Sequence, residues 1–321
     1  MQTFNISLII PTYKRERQVT KIINKLKRQL KKGIKIEVLL CDSFSNYTKK
    51  NFNFKKKNFK IYYYNIKKNN LSVKRNFGIK KSKFNNIILL DDDCIPKKNF
   101  ILNYVRDLKK IDKKTILSGI VEYPKKYILK YNHIKYRNLK HFKSDKNLTY
   151  DLPADKIVAM NMAFRKSINF LNAGLFDERF TGYGFEDHEF AFRYKLKGFQ
   201  LLRSKASIMH DEGKPNINMY AKKYYHLGKD GMGNFVKVNK TLAKNSIYGK
   251  IERNFVTKII VFLPVISLLL FAIERLIIKT DKLLNFNYLF LYDYLRLFAY
   301  IRGCVDRKKN KKNNKLNSWY E

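Results

Sequence analysis

The run NNIILLDDD at residues 85–93 sets the tightest limit on what this chain can become. Its apolar stretch reads as a short buried strand, and it stops dead at Asp91, Asp92 and Asp93. Three adjacent carboxylates are unfavourable at the end of a buried element unless a cation neutralises them. On an extended backbone Asp91 and Asp93 would share one side. The same residues also suit an ordinary strand-end turn, since Asp favours turns.

The rest of the first half repeats this grammar. FNISLIIPTYKRE reads as a buried strand over residues 4–10 ending at Pro11 and Thr12, and residues 16–32 carry helical spacing through Val19, Ile22, Ile23, Leu26 and Leu30. IKIEVLLCD is a second strand ending in Asp42, FKIYYYNI a third, and LSVKRNFGIKKS a helix. Strands alternating with helices predict βαβ units around a parallel sheet, an α/β fold. Ligands of such sheets sit beyond the carboxyl ends of the strands. Those ends here are Pro11-Thr12-Tyr13, Asp42 and Asp91–Asp93. Further on, TILSGIVEY and FQLLRSKASIMH read as strands, the second leading to His210, and residues 216–240 as an irregular helical connector. Residues 123–156 resist assignment.

The stretch TGYGFEDHEFAFR, residues 181–193, places Glu186 and Asp187 at the start of a helix. Acidic side chains there complement the unsatisfied N–H groups and the dipole, so capping alone explains such a pair. A functional role needs support from the rest of the chain.

Charge is the other outlier: 68 Lys and Arg against 26 Asp and Glu, a formal +42. Lys, Asn, Ile, Tyr and Phe are abundant together, which points to a general residue bias. The 12 lysines of residues 49–83 show neither zinc spacing nor basic heptads. A solvated basic face or an anionic membrane surface is therefore expected ahead of nucleic acid. Cys41, Cys94 and Cys304 are odd in number and unpaired in spacing, as in a reducing compartment. The apolar run ISLII is too short for a signal peptide.

Six motifs in order, SLIIPTYKRERQ, LCDSFSN, SVKRNFGI, ILLDDDCIP, LFDERFTGYGFEDHEF and IMHDEG, give the chain a clear likeness. It resembles the family 2 glycosyltransferases of GT-A fold, with a galactosyltransferase or N-acetylgalactosaminyltransferase type of C-terminal module. The likeness covers about residues 4–215, apart from the 123–156 insert. It implies that Pro11, Thr12, Tyr13 and Asp42 line the base and ribose of a nucleotide sugar, UDP-linked by resemblance. Arg75 would approach the nucleotide or its diphosphate, with Asn76 beside it shaping the loop and Asp92 completing the nucleotide-sugar side. Asp91 would face ribose and metal-bound water. Asp93 and His210 would ligate Mn²⁺ or Mg²⁺, with Asp91 in the same metal set; oxygen donors plus an imidazole favour Mn²⁺. Asp187 would be the base of an inverting transfer and Glu186 the hydrogen-bonding partner of the acceptor, with the two roles exchangeable. Gly182, Tyr183 and Gly184 would form the acceptor side.

The domains expected are a GT-A domain over 1–240, its nucleotide half about 1–122 and its acceptor half about 123–240, then a helical, membrane-associating region with a basic tail over 241–321. The uncharged run IIVFLPVISLLLFAI, 259–273, spans about 22 Å as a helix, short of a bilayer core of about 30 Å. LLNFNYLFLYDYLRLFAYI, 283–301, carries Asp293 and Arg296. Lysines flank both, so helices lying in or dipping into the cytoplasmic interface are expected, a spanning hairpin and a soluble helical subdomain being the alternatives. The function implied is transfer of a sugar to a cell-surface glycan or lipid-linked acceptor at the cytoplasmic face of a membrane, with no nucleic-acid partner. The rival reading is a non-catalytic basic protein that binds anionic lipid or nucleic acid.

Overall fold

A computed structural model describes residues 3–44, 55–141, 151–254, 264–282 and 289–310. The chain divides into two compact units. One comprises Met1–Pro124, His141–Glu178 and Phe190–Glu212; the other comprises Lys125–Lys140, Arg179–Glu189 and Gly213–Glu321.

The first unit is built on a nine-stranded sheet among the described residues. Its strands are β1 (Phe4–Thr12), β2 (Ile34–Asp42), β3 (Lys55–Lys56), β4 (Phe59–Asn65), β5 (Asn86–Leu90), β6 (Cys94–Pro96), β7 (Thr115–Glu122), β8 (Asn161–Arg165) and β9 (Gln200–His210). Their order is β3-β4-β2-β1-β5-β8-β7-β9-β6. β4, β2, β1 and β5 run parallel. Beyond β5 the sheet is mixed: β8 is antiparallel to both its neighbours, and β9 is parallel to β7 but antiparallel to β6.

The unbroken apolar runs follow from burial on both faces. Ile6, Leu8 and Ile10 of β1, Val38 and Leu40 of β2, and Ile88 and Leu90 of β5 enter one core; Ile9, Leu39, Ile87 and Leu89 enter the other. The first core is covered by α1 (Glu16–Lys27), through Val19, Ile22, Ile23 and Leu26, and by Phe100, Ile101, Tyr104 and Leu108 of a helix at Phe100–Lys110. The second core takes Ile79 of α2 (Leu71–Lys81). Gly78 brings α2 against β1: a Cβ there would lie 2.4 Å from Ile9 Cγ2. Helix α1 ends at Lys27, not residue 32, because the chain must reverse into β2. Tight turns at Gln29 and Leu30 are followed by Gly33 at φ +80°, a conformation that favours glycine.

In the second unit the unassigned stretch after residue 123 contains short helices at Lys125–Lys130 and Asn132–Lys140; residues 142–150 lie outside the described residues. The expected irregular connector is a helix at Ile217–His226, a π turn at Leu227–Gly231 and a helix at Met232–Val238. Of the two apolar C-terminal segments, 255–263 and 283–288 lie outside the described residues. The remainder forms helices at Pro264–Thr280 and Leu289–Asn310. No helix among the described residues is long and apolar enough to cross a membrane.

Candidate active site

Strand register assembles the polar cluster of the first unit. β1 and β2 pair with Thr12 opposite Asp42, and β1 and β5 with Ile9 opposite Leu89, so Pro11-Thr12-Tyr13, Asp42 and the aspartates emerge from adjacent strand ends. On the far side of the aspartates, β6 pairs with β9 with Cys94 opposite His210. Asp93 therefore lies beside His210, and the Asp211 N–H donates to the Asp93 carbonyl at 2.8 Å.

The strand does not run on through the aspartates. β5 ends at Leu90, and the Cys94 N–H closes a turn onto the Asp91 carbonyl at 3.1 Å. The expected shared side of an extended backbone is replaced by separate partners. Asp91 accepts from Arg75 Nη2 at 3.0 Å. Asp92 Oδ2 accepts from the Tyr13 N–H at 3.3 Å. Asp93 Oδ2 accepts from Arg15 Nη1 at 2.8 Å and lies 3.4 Å from His210 Nε2. The turn gives Asp91 to Arg75, while Arg15 lies against both Asp92, at 3.5 Å, and Asp93.

These partners set the protonation of the cluster. Burial raises Asp91 above the usual carboxylate range despite the opposing Arg75 charge. Burial pushes Asp92 up to about 6, against Arg15. For Asp93 burial acts in the same direction, but His210 and Arg15 together outweigh it and hold the carboxyl well below its ordinary value. Asp93 is thus the carboxylate most firmly kept ionised.

Mn²⁺ or Mg²⁺ suits this donor set without a ready-made cage. Among the described residues no three His, Cys, Asp or Glu side chains converge as one. Such ions are held by one or two protein groups together with substrate phosphates. Asp93 Oδ2 and His210 Nε2, 3.4 Å apart, are spaced as neighbouring ligands of a single ion, and Glu212 Oε1 lies 3.8 Å from the same imidazole nitrogen. His210 is only 5% exposed, and its Nδ1 faces the Tyr123 hydroxyl at 3.4 Å, which fixes the ring.

On the nucleotide side Asp42 is fully buried, accepting from the Phe44 N–H and the Tyr63 hydroxyl, both at 3.0 Å, and burial raises its carboxyl. Tyr13 is 40% exposed, its ring edge-on to Phe44. Asn76 turns away from these groups. Its amide donates to the Phe176 carbonyl at 2.8 Å and to Glu178 at 2.9 Å, and accepts from the Phe176 N–H, which ties down the chain at Phe176–Glu178. Two residues that sequence reasoning passed over join the cluster. Buried Lys74 donates to the Thr12 carbonyl at 2.7 Å, its ammonium pKa lowered by burial. Arg15 is the second. Both sit inside quoted motifs, beside the residues singled out, and only register shows what they face.

The acidic pair lies in the second unit, opening α3 (Glu186–Leu196). The three residues Gly182, Gly184 and Phe185 all have positive φ, +86°, +92° and +70°. A Cβ on Gly184 would meet Leu227 Cδ1 at 2.3 Å, so glycine is required there for space as well as for conformation. Phe185 has a bulky side chain in a left-handed conformation, a strain of about 1–3 kcal/mol that surrounding packing must hold. Its buried ring stacks on Phe235 at 5.0 Å and meets Tyr248 edge-on. The Phe185 carbonyl then accepts from the Glu189 N–H, starting α3. Asp187 Oδ1 accepts from the His188 N–H at 2.9 Å, the helix-start chemistry expected of such a pair. Glu186 and Asp187 are both half-buried, and Tyr183 is 47% exposed with the Lys223 ammonium over its ring.

The sequence pattern of glycosyl transferase family 2 matches residues 7–170, just over half of the chain. The chain belongs to that family. A second pattern, the N-terminal domain of galactosyltransferase, matches residues 140–223, which include both the acidic pair and His210. A chondroitin synthase from Escherichia coli is 26% identical over 178 residues; the match takes in 45% of this chain and spans about a quarter (25%) of that protein. Among solved structures, a mannosyltransferase from Pyrobaculum calidifontis in complex with GDP-Man and Mn²⁺ aligns over 95% of this chain and 87% of that one, with a TM-score of 0.57 at 12% identity. A GalNAc transferase structure with UDP, GalNAc and Mn²⁺ covers 82% and 58%, with a TM-score of 0.51 at 15% identity. This family 2 chain has the GT-A fold: a mixed α/β sheet flanked by helices.

Proposed function

We propose that this glycosyltransferase is metal-dependent and inverting. It moves a hexose or N-acetylhexosamine from a nucleotide sugar, UDP-linked, to a cell-surface glycan or lipid-linked acceptor at the cytoplasmic face of a membrane. The observation that carries the reading is the placement of Asp93 beside His210 at the strand ends, with Asp93 held ionised.

Asp93 and His210 hold the divalent cation, which when bound neutralises the charge of the departing diphosphate. Pro11, Thr12, Tyr13 and Asp42 receive the base and ribose. Arg75 keeps Asp91 oriented toward the ribose. Asp187 takes the proton of the acceptor hydroxyl as that oxygen bonds to the anomeric carbon; the bond to the diphosphate breaks, its electron pair leaves with the diphosphate, and the configuration inverts. Glu186 hydrogen-bonds the acceptor, with Tyr183 as a stacking platform between Gly182 and Gly184. The match to a chondroitin synthase supports a glycan acceptor.

Asp187→Asn separates base from binder. Sugar transfer should fall about 10²–10⁴-fold, the worth of a positioned general base, while nucleotide-sugar binding with Mn²⁺ stays unchanged. Transfer near the wild-type rate removes Asp187 as the base. Salt-sensitive binding of polyanions with no response to any nucleotide sugar would instead favour the non-catalytic reading.

A further inference from the structure

Two C-terminal helices, α4 (Pro264–Thr280) and α5 (Leu289–Asn310), differ in how they are covered: α5 buries an apolar stripe through Leu295, Ala299 and Tyr300, and α4 has its polarity reversed. In a helix of a water-soluble unit the apolar stripe faces the core and the charged face meets solvent. In α4 the exposed side is Leu268 at 65%, Leu269 at 61%, Ala272, Ile273 at 36% and Leu276 at 61%, with Lys279 at its end. At 3.6 residues per turn these fall in a single arc. The opposite arc carries Glu274 and Ile277, both buried, and Asp281 just past the helix end is buried as well.

The buried acids are matched one by one. Glu274 pairs with Arg302 of α5. Asp281 accepts from the His133 N–H at 2.7 Å, from the Tyr292 hydroxyl at 3.0 Å, and pairs with His133 Nδ1 at 2.6 Å. Charges inside and leucines outside is the arrangement of elements that meet lipid, where ionisable groups turn inward and pair. Over the described residues α4 has 17 residues, about 25 Å as a helix, short of the hydrocarbon core.

We propose that the Leu268–Leu276 face of α4 docks on an anionic bilayer surface, the helix lying in the interface. Charge selects this occupant. Lys279 ends the exposed arc, Arg275 sits beside it against the Phe271 ring, and Lys282 follows. These cations match a negative leaflet, where each basic residue near the surface adds to binding. A second copy of the chain would instead bring two bodies of formal charge +42 together. The proposal rests on the membrane-face location proposed above; the face shares no residue with the proposed catalytic set, so vesicle binding and sugar transfer are read separately and can fail separately.

The test is flotation of the full chain with vesicles of phosphatidylcholine alone or of equimolar phosphatidylcholine and phosphatidylglycerol. Wild type should float with the anionic vesicles and less with the neutral ones. Leu268→Glu with Leu276→Glu should reduce partitioning about tenfold or more, since each leucine forfeits its apolar burial. Leu268→Ser with Leu276→Ser adds no charge and should move the same way by a smaller factor, which separates the apolar contribution from electrostatics. Melting curves and size-exclusion chromatography confirm that each variant is folded. Flotation unchanged in both variants overturns the proposal, as does absence of wild-type flotation. A wild-type dimer that the variants split into monomers, without vesicle binding, assigns the face to a second copy.

Discussion

Two clusters of ionisable side chains in this chain look alike on paper and differ in their surroundings. At the strand ends of the first unit, Asp91, Asp92 and Asp93 meet Arg15, Arg75 and His210, and the three acids remain 21%, 15% and 16% exposed. In the second unit Glu274 with Arg302, and Asp281 with His133 and Tyr292, leave each acid side chain only 1% exposed. The sealed cluster matches acid to partner and reaches no solvent, which suits a structural link. The open one crowds carboxylates where a ligand can reach them, which is the arrangement the proposed cation site requires.

Substitutions can pull the two apart. The largest effect is expected at Glu274→Ala, which leaves Arg302 buried without its carboxylate and should cost about 3–5 kcal/mol of stability. Chemical denaturation measures that loss, with activity per folded molecule unchanged. Asp93→Asn should act mainly on the chemistry, lowering transfer by about 10²–10³-fold, as loss of one electrostatic contact to a transition state does, while the melting temperature falls only modestly as Arg15 and His210 lose their ionised partner. Arg15→Ala removes the cation now resting on Asp93 and should tighten Mn²⁺ binding severalfold, read by competition with a metal indicator. The smallest effect concerns Glu252. Burial alone would raise its carboxyl, but Arg307 and Lys308 outweigh burial and hold it below its ordinary 4.5. A depressed carboxyl contributes stability above 4.5 that is lost as pH falls through the folded value. Glu252→Gln should therefore flatten the acid limb of the stability curve by under about 1 kcal/mol.

Much of the first unit was legible because its strands are apolar on consecutive positions and stop at polar residues; β1, β2, β4 and β5 stand where the pattern put them. His210 was legible as the end of its strand, but its pairing opposite Cys94 joins residues 116 positions apart, and no local pattern encodes that register. The same holds for Arg15 and Lys74, whose neighbours come from other strands. The aspartates suited either an extended end with Asp91 and Asp93 on one side or a strand-end turn, and the turn is what forms, the Cys94 N–H closing onto the Asp91 carbonyl. Phe185 carries no signal of its left-handed backbone beyond the glycines before it. For α4, periodicity reveals that a helix has two faces and is silent on which one meets solvent. Its reversed polarity is visible only once Arg302 and His133 are seen inside.

The most direct test of the account is a thermal-shift panel of UDP, GDP, CMP and dTDP, each with Mn²⁺ and with EDTA, on wild type and Asp93→Asn. One nucleotide is expected to stabilise the wild type only with Mn²⁺, by about 2.7 kcal/mol at a hundredfold excess over its dissociation constant, and Asp93→Asn should abolish the shift. Stabilisation that survives EDTA or Asp93→Asn, or a melt that responds to none of the four, would contradict the metal-bound nucleotide-sugar site.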